Sequence, residues 1–149
     1  MIDRAIVGFA WEPWEVVIEP GRLRLLAKAI GETRPVYTDE AAARAAGYRS
    51  LLAPPTFAFC LLADNPRGSG YLADVGIPIT QVLHGEQRFQ FLAPMCAGDR
   101  VRVSRRVVDT YEKKGGALDF VVLESEVRDA SSGALYAVGR QVMVRRNRA

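Results

Sequence analysis

Residues 53–63 read APPTFAFCLLA, and this stretch decides the fold. Two prolines stand at its start, where the first backbone N–H groups of a helix have no partner and proline is tolerated. The residues that follow Thr56 are apolar on every side of the helix that they would form. Because a helix without a polar face has to be covered by protein on all sides, the stretch predicts one long buried helix.

The chain after this helix shows the pattern of β-strands. Polar and apolar residues alternate in 88–91 and in most of 100–108, and 118–127 and 135–144 are rich in β-forming residues. A short additional strand is expected at 15–18. These elements predict an α+β protein in which a mostly antiparallel sheet wraps around the buried helix, the arrangement known as the hot-dog fold.

Two further helices are expected before the buried one. Apolar residues recur with helical spacing over 23–30, and Gly31 follows at a place where helix ends favour glycine. A second helix is expected over 40–46, and either Thr38 or Asp39 can cap its start.

The composition is that of one ordinary globular domain. The chain has 149 residues, of which 49% are hydrophobic and 25% charged, so a core can form without staples and a single domain over 1–149 is expected. Much of the net charge of +3 comes from 100–106 and 144–149. Solvated strand faces are the simplest explanation, and an anionic partner such as coenzyme A or an acidic carrier protein is the alternative. No motif favours nucleic acid.

The sequence predicts no metal, no cofactor and no membrane association. Cys60 and Cys96 lie far apart in apolar surroundings, and the one histidine, His84, cannot build a zinc site alone. No apolar run has the length of a membrane span or the form of a secretion signal. We therefore expect a soluble cytoplasmic protein whose two thiols stay reduced.

The segment before the buried helix carries a family likeness. Residues 31–39 read GETRPVYTD, an alanine-rich helix follows, and LAPPTF occupies 52–57. With LHGEQ at 83–87 and the turn at 94–99, this order of segments resembles the MaoC-like hydratase/dehydratase family, in particular the N-terminal-type MaoC dehydratase domain. That group includes the accessory subunits of the heterodimeric (3R)-hydroxyacyl-ACP dehydratases.

The resemblance implies a hot-dog subunit of a homodimer or heterodimer that adds or removes water across the α,β bond of an acyl thioester. Catalytic members carry an aspartate and a histidine in the loop that matches 31–39, and the histidine acts as general base. Here Glu32 stands at the aspartate position, Tyr37 at the histidine position and Arg34 at an asparagine position. Pro55 stands where relatives usually have a glycine, and proline has no N–H to offer the thioester carbonyl.

The expected catalytic residues are Glu32, Tyr37 and His84. The expected substrate-binding residues are Pro55, Thr56, Phe57 and Cys60. Structural roles are open as well: a packed interface position for Tyr37, a salt bridge with Arg34 or a helix-terminal charge for Glu32, a satisfied structural position for His84, and core positions for Phe57 and Cys60. The backbone N–H groups of Thr56 and Phe57 are possible donors to a substrate. The glycine- and proline-rich residues 64–78 predict a long loop and a candidate flap over an acyl chain.

Three functions are open at this point. The first is the substrate-binding subunit of a (3R)-hydroxyacyl-thioester dehydratase or enoyl-thioester hydratase, whose histidine-bearing partner subunit supplies the catalytic pair. The second is an autonomous enoyl-CoA hydratase with an altered site, and the third is a non-enzymatic protein that binds acyl thioesters. In the first two the substrate is an acyl-CoA or acyl-ACP. A second hot-dog subunit, identical or different, is expected as partner.

Overall fold

The computed structural model describes residues 2–147 and contains one five-stranded antiparallel sheet. The strand order is β1-β3-β4-β5-β2, so β1 and β2 form the two edges. The strands are β1 (Ala10–Val17), β2 (Val82–Phe91), β3 (Arg100–Lys113), β4 (Leu118–Asp129) and β5 (Leu135–Arg146). The helices are α1 (Pro20–Ala29), α2 (Glu40–Ala45) and α3 (Phe57–Ala63), with 3₁₀ turns at Arg4–Ile6, Pro35–Tyr37, Gly68–Val75 and Ile79–Gln81.

The helix predicted from APPTFAFCLLA is present as α3, but it has only seven residues and is not long. Phe57, Ala58 and Leu61 are no more than 1% exposed in the main core, whereas Phe59 keeps 43% of its surface exposed. The helix therefore has an open side that the apolar sequence did not reveal. This open side lies beside edge strand β2, because the Phe59 ring contacts the His84 ring edge-on at 6.0 Å.

Two side chains from the sheet hold the last turn of α3. Trp14 of β1 donates from Nε1 to the Leu61 carbonyl at 3.2 Å, and Arg105 of β3 donates to the Leu62 carbonyl at 2.9 Å. The last carbonyls of a helix lack partners inside it, so these bonds satisfy groups that would otherwise be buried and unpaired. They also fix the helix against two different strands of the sheet.

A glycine in β5 allows the close approach of α3 to the sheet. A Cβ atom added to Gly139 would lie 2.9 Å from Cε1 of Phe89 and 3.2 Å from Cδ1 of Leu62. Real Cβ atoms do not tolerate such contacts, so any larger residue would push the helix or the β2 phenylalanine outward. The fit between α3 and the sheet depends on this missing side chain.

The first two helices agree with the sequence prediction. In α1 the buried residues are Leu23 and Ala27, and the helix ends just before Gly31, which has a positive φ of 70°. Asp39 is the cap of α2, because its Oδ1 accepts the Ala42 N–H at 3.0 Å. Ile30, expected on the buried face of α1, is instead 54% exposed.

The first strand is twice as long as the four residues expected at 15–18, since β1 runs over Ala10–Val17. The pairing of β1 with β3 shifts register between Trp11 and Trp14, with Pro13 inside the irregular stretch. A bulge that contains proline disturbs the alternation of inward and outward residues, which explains why the pattern did not reveal the beginning of the strand.

Residues 64–78 are not an open flap. They contain the 3₁₀ turn Gly68–Val75, whose Tyr71, Leu72 and Val75 are buried in a second core. That core also contains residues from four strands of the sheet, β1, β3, β4 and β5, namely Trp11, Val107, Val121, Leu123 and Met143. The segment covers one end of the sheet, and its glycines serve the tight turns.

The arginines of β3 do not all lie on a solvated face. Arg100, Arg102 and Arg106 are exposed as expected, but Arg105 is only 4% exposed and lies on the same inward face as Val103 and Val107. In the basic tail 144–149, β5 extends to Arg146, while Arg148 and Ala149 lie outside the described residues. Among the described residues, no helix has the length and apolarity needed to cross a membrane.

Candidate functional site

The loop 31–39 lies beside the chain that leads into α3. Its start is tied to α1, because the Glu32 N–H donates to the Ala27 carbonyl at 2.8 Å. Its middle is tied to the α3 approach, because the Leu52 N–H donates to the Val36 carbonyl at 3.0 Å. These two backbone hydrogen bonds, at the start and in the middle of the loop, hold Glu32 and Tyr37 near the start of the buried helix.

The carboxylate of Glu32 is bound by Arg34. Oε1 accepts the Arg34 backbone N–H at 2.9 Å and its Nε at 3.1 Å, while Oε2 accepts the second guanidinium nitrogen at 2.7 Å. Hydrogen bonds from the Arg34 side chain and backbone lower the pKa of Glu32 from 4.5 to about 2. Glu32 is therefore an anion at neutral pH, and the lone pairs that a general base would use already accept bonds.

Tyr37 is packed rather than free. It is 5% exposed and lies in a small core with Ala27, Leu52 and Cys96. The Arg34 guanidinium lies over its ring at 4.9 Å from the centroid and within 3.3 Å of the hydroxyl oxygen. Arg34 therefore joins Glu32 and Tyr37 into one linked group, in which the tyrosine hydroxyl can accept from the guanidinium and still donate its own proton.

Tyr37 and Pro55 meet in one cavity of about 350 Å³. Its walls come from the loop, the α3 approach and the turn after β2, and they are largely apolar: Tyr37, Tyr48, Leu52, Ala53, Pro55, Phe91, Leu92, Ala93, Pro94 and Met95. Apolar walls with a few polar groups at one end are typical of sites for acyl or other small organic ligands.

The backbone donors at the start of α3 differ in availability. The Phe57 N–H already donates to the Pro54 carbonyl at 2.8 Å, so it is not free for a substrate oxygen. Within the described residues the Thr56 N–H makes no hydrogen bond. Of the two donors expected from the sequence, Thr56 alone is available in this conformation.

His84 and Cys60 lie away from this cavity. His84 is exposed on edge strand β2 and contacts Phe59, and neither residue lines the cavity that contains Tyr37. Cys60 packs half-buried against the main core, and burial raises the pKa of its thiol, which makes it a poor nucleophile. Within one protomer, then, the structure brings together Glu32, Tyr37 and Pro55 but not His84.

Three features of the site were not predicted from the sequence. The sequence favours an ion pair of Glu32 with Arg34, which the structure contains, but it does not predict the contact of Arg34 with Tyr37. Tyr48 and the turn at 91–95 were not assigned to the cavity that they line. Residues 94–99 are one of the segments that carry the family resemblance, and this could have indicated the turn. Its position beside α3, however, results from the pairing of 51–53 with 95–97.

The described residues contain no group of three or more histidine, cysteine, aspartate or glutamate side chains arranged to hold a metal ion. Among the side chains that line the cavity, Tyr37 and Tyr48 carry hydroxyl groups, and Arg34 links the Tyr37 hydroxyl to Glu32.

Comparison with known proteins supports the fold and class. A curated relative, a UPF0336 protein from Streptomyces avermitilis, is 34% identical over 131 residues, covering 86% of this chain and 85% of its own. A crystal structure of the C-terminally truncated HadBC (3R-hydroxyacyl-ACP dehydratase) complex from Mycobacterium tuberculosis matches with a TM-score of 0.81 and 25% identity, over 93% of this chain and 96% of that chain. A MaoC-like dehydratase matches with a TM-score of 0.82 and 23% identity, over 96% of this chain and 43% of that chain.

The fold is that of the MaoC-like hot-dog dehydratases and hydratases. Within that class, the chain belongs to the family described as FAS1-like, dehydratase domain region, whose model matches residues 5–136. The hot-dog architecture and the MaoC-like resemblance inferred from the sequence are thereby confirmed.

Proposed function

We propose that this chain is the substrate-binding subunit of a (3R)-hydroxyacyl-thioester dehydratase or enoyl-thioester hydratase, and that a partner subunit supplies the catalytic histidine. One observation carries the proposal: the loop has its family position beside α3, but Arg34 holds its carboxylate and a buried tyrosine replaces its base. On this proposal the loop still contributes to the substrate site, but it lacks a side chain that can act as general base.

The chemistry of water addition supports the proposal that one subunit binds the substrate and the other supplies the general base. A general base works best when its pKa lies near the operating pH, and histidine meets this requirement. Glu32 has its pKa lowered to about 2 by Arg34, so it is a weak base. His84, the remaining candidate, is exposed on β2 and lies outside the cavity of its own protomer.

The partner is proposed to bind along edge strand β2. This edge is ten residues long, and it carries or adjoins exposed Leu83, Phe91 and Leu92, which are 67%, 47% and 49% accessible. The opposite edge, β1, contains Pro13 and a bulge, both of which discourage strand pairing. An open, apolar edge next to the site is suited to a second hot-dog subunit, and the similar HadBC structure is that of a complex.

The substrate is proposed to be an acyl group carried by coenzyme A or by acyl carrier protein in the cytoplasm. The apolar cavity of about 350 Å³ accommodates an acyl chain. The Thr56 N–H, which follows the lining residue Pro55 and makes no hydrogen bond among the described residues, is proposed as the donor to a thioester carbonyl. The net charge of +3 favours either anionic carrier.

The test compares the pure chain with a reconstituted complex. Hydration of crotonyl-CoA is followed with the chain alone, with a histidine-bearing MaoC-like subunit alone, and with both together. The proposal expects turnover that depends on the pair and is much larger than the sum of the separate proteins. Robust turnover by this chain alone would refute it.

The same assay decides the two alternatives. If the chain turns over alone, Glu32→Ala and His84→Ala show which side chain moves the proton, and unchanged rates in both would remove the autonomous enzyme as well. A chain that is stabilised thermally by acyl-CoA but stays inactive with every partner subunit would be a binding protein.

A further inference from the structure

We propose that a second cavity, at the opposite end of α3 from the loop 31–39, binds a carboxylate group. The cavity has a volume of about 240 Å³ and lies between the last turn of α3, the segment 65–71 and the inner face of the sheet. Its lining combines apolar and polar side chains: Phe59, Leu62, Ala63, Asn65, Gly68, Ser69, Tyr71, Arg105 and Gln141. This site is separate from the proposed acyl site and does not depend on it.

The guanidinium of Arg105 is the centre of the proposed site. It is 4% exposed, and its two hydrogen-bond acceptors, Oγ of Ser125 at 3.2 Å and the Leu62 carbonyl at 2.9 Å, are both neutral. The rings of Trp14 and Tyr71 flank it at 5.4 and 4.6 Å. Within residues 2–147, no carboxylate forms an ion pair with Arg105.

A buried charge of this kind needs a counter-charge. Taking a guanidinium out of water costs several kcal/mol unless an opposite charge and hydrogen bonds offset the loss. Arginine nevertheless stays protonated in proteins, because its ordinary pKa is far above neutral. Of its five N–H donors, two are used here, so the remaining three can receive an anion at the cavity wall.

Asn65 provides an independent sign of a missing acceptor. Its side chain is buried, and its Oδ1 accepts the Arg67 backbone N–H at 2.9 Å, which fixes the orientation of the amide. The other end of the amide, Nδ2, is buried and has no hydrogen-bond partner among the described residues. Unpaired buried donors are rare, and Asn65 is one of the residues that line the same cavity as Arg105.

The lining favours a carboxylate over a phosphate. Arg105 is the single cation among the lining residues, which suits one negative charge better than two. The planar fork of a guanidinium matches the two oxygens of a carboxylate. The apolar walls from Phe59, Leu62 and Tyr71 suit a short hydrocarbon body attached to it. The carboxylate can belong to a free small acid or to the far end of an acyl chain, and both offer the same group to Arg105.

Asn65→Asp is the sharpest variant for a test. The aspartate retains an oxygen for the Arg67 N–H and replaces the unpaired Nδ2 by a second carboxylate oxygen, so the chain would fill the site with its own charge. Replacing Arg105 itself is less informative, because Arg105 also holds the last turn of α3. Gln81→Glu, the same amide-to-acid change at an exposed position outside the cavity, controls for net charge.

The experiment measures calorimetric binding of butyrate and of butyramide, its neutral analogue, in chloride-free buffer. The proposal expects the wild type and Gln81→Glu to bind butyrate at least about tenfold more tightly than butyramide, and Asn65→Asp to lose this preference. Equal binding of the two probes by the wild type, or an unchanged preference in Asn65→Asp, would overturn the proposal.

A second comparison identifies the source of the carboxylate. Glutaryl-CoA carries a carboxylate at the far end of its acyl chain, whereas butyryl-CoA ends in a methyl group. Tighter binding of glutaryl-CoA, lost in Asn65→Asp, would assign the site to the end of an acyl chain. Butyrate binding without any difference between the two thioesters would assign it to a free acid, and either result supports a carboxylate site.

Discussion

The carboxylate of Glu32 lies 2.7 Å from the guanidinium of Arg34, two residues further along the same loop. The same guanidinium also covers the ring of Tyr37. Arg34 therefore contacts both side chains that stand, by the family resemblance, at the positions of the catalytic aspartate and histidine. Arg34 thus links Glu32 and Tyr37 into one group held by hydrogen bonds and charge.

Arg34→Asn should release Glu32. With Arg34 removed, we expect the pKa of Glu32 to rise from about 2 toward its ordinary 4.5, as measured by NMR titration of the side-chain carboxyl. Because the folded-state pKa is lowered, the ion pair stabilises the wild type above about pH 4.5, and this contribution is lost as the pH falls toward 2. Arg44→Ala, which breaks the exposed pair with Glu40, should leave the pKa of Glu32 unchanged. An unshifted pKa in Arg34→Asn would show that the backbone N–H alone sets it.

Restoring the family pattern should create activity. We expect the triple variant Glu32→Asp, Arg34→Asn and Tyr37→His to hydrate crotonyl-CoA about 10- to 100-fold faster than the wild type, because a matched general base contributes about 10²–10⁴-fold and Pro55 still lacks its N–H. The pH–rate profile should rise with an apparent pKa near that of histidine. The variant Glu32→Asp with Arg34→Asn but with Tyr37 retained is the matched control and should stay inactive. Equal rates in control and triple variant would contradict the proposed role of position 37.

Gly139→Ala should destabilise the fold. The new methyl would press on Phe89 and Leu62, and overpacking of this kind costs about 1–3 kcal/mol in the free energy of unfolding, measured by denaturant titration. Gly21→Ala is the control, because a Cβ there has no heavy atom within 4 Å and the residue lies in the first turn of α1. It should be neutral or slightly stabilising. Comparable losses in both variants would show that α3 does not need the close approach.

Leu83→Lys should weaken association with a partner. Leu83 is 67% exposed on β2, and a lysine there adds charge to the edge on which pairing is proposed. Sedimentation analysis should show a shift toward monomer of about tenfold or more in the dissociation constant. Leu25→Lys on α1, where leucine is 69% exposed, makes the same chemical change on another surface and should leave association intact. Unchanged association in Leu83→Lys would place the interface elsewhere, and an equal loss in both variants would show that the effect is not specific to β2.

Local chemistry made much of the fold predictable. Asp39 caps α2 because its short side chain, just before an alanine-rich segment, can accept a backbone N–H from the first turn of the helix. The position of α3 follows from its apolar run. Its length and open side do not, because the exposure of Phe59 depends on its position beside edge strand β2, which is distant in sequence.

The sites were less predictable because they depend on contacts between distant segments. The period of two in β3 already placed Arg105 in phase with Val103 and Val107, but an arginine on an inward face conflicts with the expectation that charges lie in solvent. What accommodates it is the last turn of α3 and the ring of Tyr71, which come from other parts of the chain. The charge of Arg105 favours a solvated face, whereas its position in the alternating pattern of β3 indicates burial.

The short length of α3 has a consequence for how the molecule assembles. Isolated helices below about 12–15 residues are marginal in water, so a seven-residue helix gains its order from the strands that hold its end. The β3, β4 and β5 strands are neighbours in sequence and can pair early, whereas the Trp14 bond to Leu61 spans 47 residues and closes late. We expect both cavities beside α3 to appear in the last step of folding. A refolding chain would therefore acquire its compact sheet first and its capacity to bind ligands only when the helix docks.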